Sequence, residues 1–322
     1  MFIYKKIIRP ILFILPAEFA HNLVEYILAL IPSWVTKFLF SGKSENININ
    51  LFGNKLSSPI GIAAGIDKDC KTSHHYINMG FGFSVVGTVM SKPRYGNPKP
   101  RLLRIKKDQS IINSLSFPSD GSEKILNRLK KRVNYKKQLI ISVSGAEVKD
   151  ILNNVIKFQN YCFAIEINIS SPNTKNLKNF VNPNSVELII KEVRKITQMP
   201  LLFKLPRISN YSEYYDLISV ISDHLSVGLV LSNSLPVDDK RLKVGSGGKS
   251  GKALFANTLN ALKTVRKEFP NTTIISCGGI STANEVRLLI ENGANAVQMY
   301  SAVVYEGPLV AKKIKNKIYF NN

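Results

Sequence analysis

Apolar residues follow two rhythms along this chain, and the change between them divides it. In residues 1–40, Ile7, Ile8, Ile11, Leu12 and Leu15 recur at helical spacing, as do Leu23, Ile27, Leu28 and Ile31. That predicts two short amphipathic helices broken near Pro16. Residues 41–50 are polar and read as a linker. Beyond them, short β-branched runs alternate with helical stretches such as 185–196 and 258–269. Strands are predicted over 59–65, 83–89, 138–145, 163–170, 200–206, 227–233, 272–279 and 296–301. Most are nearly continuous apolar runs, as strands buried on both faces require. This rhythm predicts an α/β chain in which residues 51–322 form a (β/α)8 TIM barrel behind a short N-terminal helical extension. A doubly wound sheet fits less well, because no strand leads into a G-x-G-x-x-G turn.

Composition narrows this picture. The chain has 322 residues, 44% of them hydrophobic, enough for one large core and too few for two domains with linkers. Cys70, Cys162 and Cys277 show no C-x-x-C spacing, which points to a reducing compartment and to no metal site. The net charge of +22 asks for an anionic partner. Its lysines fall in pairs such as Lys130-Lys131, Lys136-Lys137 and Lys312-Lys313, with no aromatic-interleaved basic stripe. Solvated faces, and after them an anionic membrane surface, account for the charge; nucleic acid is not expected. No segment reaches the ~18 to 20 apolar residues of a membrane span. The charged start is followed by too short an apolar run, without a small-residue cleavage site, to be a signal peptide. The run Gly245-Ser-Gly-Gly-Lys-Ser-Gly-Lys252 is no P-loop: Lys243 stands where a glycine is needed, and no strand leads into it. It reads as a flexible loop.

In such a barrel, functional groups gather where strands end at the C-terminal face. Here the endings are polar or glycine: Ala64-Gly65 and Lys68, Gly87-Thr88, Ser142, Asn168, Lys204, Ser232-Asn233-Ser234, Gly278-Gly279, Tyr300-Ser301. Gly278 and Gly279 precede a helix opened by the capping box Thr282-x-x-Glu285. Their bare amides, beside those of Tyr300 and Ser301, suit a phosphate. Lys204 inside Leu-Leu-Phe-Lys-Leu is costly unless it meets an anion, such as the anionic edge of a reduced flavin or, alternatively, a buried carboxylate. Asn113, Asn168, Asn173 and Asn233 each offer donors and acceptors. Together they suit a planar ring of alternating amide N–H and C=O groups such as a dihydropyrimidine, with Lys68 for a carboxylate. Singly, each is an ordinary turn or cap residue.

These segments resemble the dihydroorotate dehydrogenases along essentially the whole chain. The resemblance is carried by Gly61-Ile-Ala-Ala-Gly-Ile-Asp-Lys-Asp69, Asn97-Pro-Lys-Pro-Arg101, Asn168-Ile-Ser-Ser-Pro-Asn-Thr174, Gly247-Gly-Lys-Ser-Gly251 and Gly278-Gly-Ile280. The Asn168 to Thr174 segment is the most specific. The family's class 1 enzymes place cysteine at the catalytic base and the quinone-dependent class 2 enzymes serine; here it is Ser171, and the N-terminal helices resemble the class 2 membrane and quinone extension. The resemblance implies oxidation of dihydroorotate to orotate in pyrimidine biosynthesis, with FMN as cofactor and a membrane quinone as acceptor. It also implies peripheral attachment to a bacterial inner membrane on its cytoplasmic face, or to a mitochondrial inner membrane.

By the same resemblance, Ser171 removes the C5 proton, which leaves through Thr174 and a water near Phe117. Lys68, Asn113, Asn168, Asn173, Asn233 and Ser234 match substrate positions. Ala64, Gly65, Thr88, Ser142, Asn168, Lys204, Ser232, Gly251, Gly278, Gly279, Tyr300 and Ser301 match flavin positions. His21, Arg104 and Tyr300 match the quinone side, and Lys5, Lys6 and Arg9 stand where anionic head groups would meet them. Two segments depart from class 2. Asn113-Ser-Leu-Ser-Phe-Pro118 replaces Asn-Arg-x-Gly-Phe-Asn, and Ser142-Val-Ser-Gly145 is closer to class 1. A flavin-binding protein that has lost catalysis, a class 1-like enzyme with a soluble acceptor and a tRNA dihydrouridine synthase are the competing readings. The synthase needs a barrel cysteine nucleophile and an RNA-binding extension, and neither is visible.

Overall fold

The computed structural model describes residues 2–40, 47–170 and 180–318. Its strands are β1 (Ile49–Leu51), β2 (Asn54–Leu56), β3 (Ile60–Asp67), β4 (Phe83–Val89), β5 (Leu102–Ile105), β6 (Ser110–Asn113) and β7 (Leu139–Val143). They continue as β8 (Ala164–Asn168), β9 (Leu201–Lys204), β10 (Val227–Leu231), β11 (Leu235–Asp238), β12 (Ser246–Gly251), β13 (Thr273–Cys277) and β14 (Ala296–Met299). Strands β3, β4, β7, β8, β9, β10, β13 and β14 close a parallel barrel in that order, with Val297 of β14 opposite Ile60 of β3. These are the eight runs predicted from sequence.

Two apolar layers explain why the strand sequences lack alternation. Ile62, Ile141, Ile165, Phe203 and Leu229 pack in the cluster shared with the surrounding helices. Phe83, Val85, Ile140, Leu202, Val230 and Ile275 fill the barrel floor together with Leu51 and Leu56. Those last two come from the β1–β2 hairpin, which turns through Phe52 and Gly53, both at positive φ (53° and 79°), as a tight two-residue hairpin turn requires. The hairpin corrects the linker reading, since Ile49 and Asn50 belong to a paired strand. Gly61 is bare for a packing reason: a Cβ there would lie 2.2 Å from the Phe83 ring.

The extension holds three helices after a π-helical turn at Tyr4–Ile8: α1 (Arg9–Ile14), α2 (Ala17–Leu30) and α3 (Ser33–Phe40). The predicted break falls at Pro16, where Leu15 is extended (φ −72°, ψ 152°). A second break, not predicted, has the same cause: Pro32 forces Ile31 out of the helical region (φ −77°, ψ 125°). Among the described residues no single helix is long and apolar enough to cross a bilayer, and α2 and α3 are bent by 95° to each other.

The larger correction concerns the glycine run. Residues 246–251 form β12, paired on both sides in the antiparallel sheet β11-β12-β6-β5. Glycine here permits close approach rather than flexibility. A Cβ on Gly247 would lie 2.6 Å from the Asn113 carbonyl oxygen, and one on Gly248 would lie 1.9 Å from Ser234 Oγ. The run therefore brings two predicted substrate residues together.

Candidate active site

The barrel's C-terminal mouth opens into a cavity holding about 1100 Å³ of atom-free space, mouth included. Fifteen of the predicted site residues line it: Ala64, Gly65, Lys68, Thr88, Asn113, Phe117, Asn168, Lys204, Ser232, Asn233, Ser234, Gly278, Gly279, Tyr300 and Ser301. They come from seven barrel strand ends, from β6 and from the loop after it. Ser171, Asn173 and Thr174 lie outside the described residues. Ser142 stands behind the wall, fully buried, bonded to Thr88 Oγ1 (3.1 Å) and donating to Glu166 Oε1 (2.9 Å). Gly251 is also not among the lining residues, although Ser250 is. A Cβ on Gly251 would lie 2.6 Å from Ser110 Cα, so this glycine lets β12 seat against β6.

Asn168 and Asn233 are linked by an anchor at Ser170. Asn168 Oδ1 accepts from Ser170 Oγ (2.6 Å) and N (3.2 Å), while its Nδ2 donates to Thr88 Oγ1 (2.9 Å). Asn233 Nδ2 donates to the Ser170 carbonyl (3.1 Å) and Oγ (2.8 Å), and its Oδ1 accepts from Ser234 N (2.8 Å). Asn113 Nδ2 reaches the Gly248 carbonyl at 3.4 Å. The site is therefore partly preorganised, with the β8 and β10 endings locked to each other. Beyond β6 the loop carries Ser116 and Phe117 at positive φ (56° and 52°), a conformation costing roughly 1–2 kcal/mol per non-glycine residue. Arg94 Nη2 holds it by donating to Ser116 Oγ (2.8 Å).

Lys204 lines the cavity at 5% exposure and enters no ion pair among the described residues. The nearby buried carboxylate of Glu166 takes its hydrogen bonds from Ser142 and from Gln298 Nε2 (3.1 Å) instead. Among the described residues Gln298 Oε1 has no partner, and Gln298 lines the cavity. An unpaired cation and an orphaned amide oxygen, a buried acceptor seeking a donor, suit a flavin ring with its anionic edge and its N–H. Gly278 (φ 129°) and Gly279 (φ 77°) close the same wall. A Cβ on Gly279 would sit 2.3 Å from the Phe255 amide nitrogen. Bare glycine amides at such a wall can hold a phosphate. The residues present therefore fit a phosphorylated flavin.

The extension reaches this site through α2. Lys68 Nζ lies 3.1 Å from His21 Nε2. The Lys68 charge, then burial, then Lys71 hold the His21 pKa well below the usual histidine range, so the neutral ring accepts from the ammonium. Glu18 binds Arg101 (2.7 Å) and Glu25 binds Lys71 (2.9 Å). Arg104 is not in the cavity wall; it donates to the carbonyls of Leu12 (2.8 Å) and Leu15 and stacks on Phe13, satisfying the orphan carbonyls that end α1. Lys5 pairs with Glu306 (2.5 Å) and Arg9 donates to the Tyr305 carbonyl (2.7 Å). Of the three cations expected to face head groups, only Lys6 is exposed.

The sequence reading missed Glu166, Gln298 and Arg207. The first two carried the signal that exposed Lys204, a polar residue inside an apolar strand: Ala164-Ile-Glu-Ile-Asn168 and Ala296-Val-Gln-Met299.

The sequence profile of the dihydroorotate dehydrogenase family matches residues 46–320. The chain is 32% identical to the dihydroorotate dehydrogenase (quinone) of Christiangramia forsetii over 98% of both chains. It is 33% identical to that of Sulfurimonas denitrificans, over 97% of this chain and 92% of the relative. The mitochondrial enzyme of Lachancea kluyveri is 31% identical, over 88% of this chain and 74% of its own. Ligand-free DHODH of Eimeria tenella superposes with a TM-score of 0.84 at 27% identity, covering 94% of each chain. The family profile spans the barrel and the relatives extend the match through the N-terminal helices, so this chain belongs to the dihydroorotate dehydrogenase family.

Proposed function

We propose that the chain oxidises dihydroorotate to orotate for pyrimidine synthesis, with FMN as its resident flavin and a membrane quinone as final acceptor. The observation that carries this reading is a single cavity lined by Lys204, the Gly278-Gly279 amides, Lys68 and three asparagines. Bound there, the flavin supplies the acceptor for the hydride leaving C6. Lys204 sets positive charge against the ring, and Gln298 Oε1 accepts from a ring N–H. Lys68 takes the substrate carboxylate, exchanging the neutral His21 acceptor for a charge-assisted bond. Asn113, Asn168, Asn173 and Asn233 orient the amide edges, with Ser234 beside them. Ser171 takes the C5 proton, which leaves through Thr174 and a water near Phe117. The quinone approaches from the α1–α2 side, bordered by His21, Arg104 and Tyr300. Relatives named for quinone favour that acceptor over a soluble one.

Attachment to an anionic membrane surface is supported by exposed apolar side chains concentrated in the extension, among them Phe2, Ile14, Trp34 and Phe38. Water leaves such a patch uncovered at a cost, and a bilayer interface covers it.

The test is optical. Purified protein should show an oxidised flavin spectrum that dihydroorotate bleaches and a ubiquinone analogue restores. Bleaching with restoration only by soluble acceptors would overturn the quinone reading, and no bleaching would overturn the reaction. In the same assay Lys204→Met should retain flavin at least about tenfold more weakly, since it removes a buried cation from the ring edge. Unchanged flavin content and reduction potential would make Lys204 structural.

A further inference from the structure

Arg207 follows β9 by three residues and is 3% exposed. Its guanidinium donates from Nε to the Asn233 carbonyl (2.9 Å), from Nη1 to Asn257 Oδ1 (2.6 Å) and from Nη2 to the Cys277 carbonyl (2.8 Å). All three acceptors are neutral, and Arg207 enters no ion pair among the described residues. Burial pulls its pKa down; the groups opposing that are the Tyr211 hydroxyl and the Cys277 thiol, with no carboxylate. A buried cation without a counter-charge is a costly arrangement. Hydrogen bonds to carbonyl oxygens give each of its three nitrogens a partner but leave its charge unbalanced.

Its position shows where the balancing charge belongs. Arg207 Nη2 lies 2.2 Å from where a Cβ on Gly278 would be built, so the guanidinium packs directly against the Gly278 backbone. On the reading above, the amides of Gly278 and Gly279 hold the cofactor's phosphate. We propose that Arg207 is the charge that makes this pocket select a phosphorylated flavin over an unphosphorylated one. It acts across the glycine backbone rather than by contact, while its bonds to Asn233 and Cys277 fix the ends of β10 and β13. A monovalent cation several ångströms from a phosphate in a partly buried site changes affinity by about tenfold or more. Riboflavin, which lacks the phosphate, is indifferent to that charge.

The experiment compares dissociation constants of FMN and riboflavin, by flavin fluorescence quenching, for the full chain stripped of cofactor. Wild type should prefer FMN. Arg207→Met, similar in length and uncharged, should weaken FMN about tenfold and leave riboflavin within about threefold. Arg207→Lys should recover most of the preference. Equal weakening of both flavins, or an unchanged ratio in Arg207→Met, overturns the proposal. A wild type that binds the two equally would instead overturn the phosphate pocket on which it rests. If Arg207→Met fails a circular-dichroism check of folding, Arg207→Gln supplies the same comparison and is judged by the same ratio.

Discussion

Ser171→Ala should give a flavin-loaded protein that binds orotate yet is reduced by dihydroorotate at least about 100-fold more slowly near neutral pH, the usual scale for a lost general base. The loss should be this specific because the groups around the base remain. Residue 171 follows Ser170, whose carbonyl and hydroxyl are held by Asn233 and whose hydroxyl and amide are held by Asn168. None of these bonds depends on the side chain of residue 171. Removing one hydroxyl deletes a proton acceptor without loosening the Ser170 anchor. Among the described residues no histidine lines the cavity to replace it, and His21 reaches the site through Lys68. Stopped-flow bleaching of the flavin checks the prediction, and near-normal rates would remove Ser171 from the mechanism. Ser171→Cys should keep partial activity that rises with pH as the thiol ionises, ordinarily near ~8.5.

Deleting residues 1–40 should separate the two half-reactions. Among the residues of α2 and α3, only Ala20 and Thr36 are buried, so the barrel core does not rest on this segment. Its apolar attachments are few, Leu28 and Phe40 against the core and Phe13 against the Tyr305 ring; the others are polar: Tyr4 to the Val304 carbonyl, Glu18 to Arg101, His21 to Lys68, Glu25 to Lys71, Thr36 to His75. Deletion returns the barrel partners of these bonds to water, and each is worth about 0.5–1.5 kcal/mol net between neutral groups and about 1.5–3 kcal/mol where a group is charged. A folded barrel that still holds flavin and is still bleached by dihydroorotate is therefore expected. Reoxidation by long-chain ubiquinone should fall at least about tenfold, because the exposed apolar surface of α1–α3 and the approach past His21 are gone. A small artificial acceptor should keep working, and liposome binding should be lost. Retained ubiquinone turnover would refute the quinone role of the extension. Collapse of both half-reactions together would show instead that the helices are a structural cap on the barrel mouth.

Much of this was legible in the sequence because burial on both faces leaves an uninterrupted apolar run. All eight barrel strands, the break at Pro16 and the polar strand endings could be read from residue type and spacing alone. Lys204 stood out by the same logic, as a charge where the local pattern allows none. Tertiary structure decided what depends on partners distant in the chain. The run at 245–252 reads locally as a loop; it is a strand because β6 and β11 flank it and only glycine lets Asn113 and Ser234 approach so closely. Lys5 and Arg9 read locally as free cations, yet Glu306 and the Tyr305 carbonyl, about 300 residues away, draw them onto the barrel. Arg207 carries no local signal. Its meaning lies in being buried against Gly278 without a counter-charge, and burial and charge balance are properties of the closed barrel rather than of any stretch of sequence.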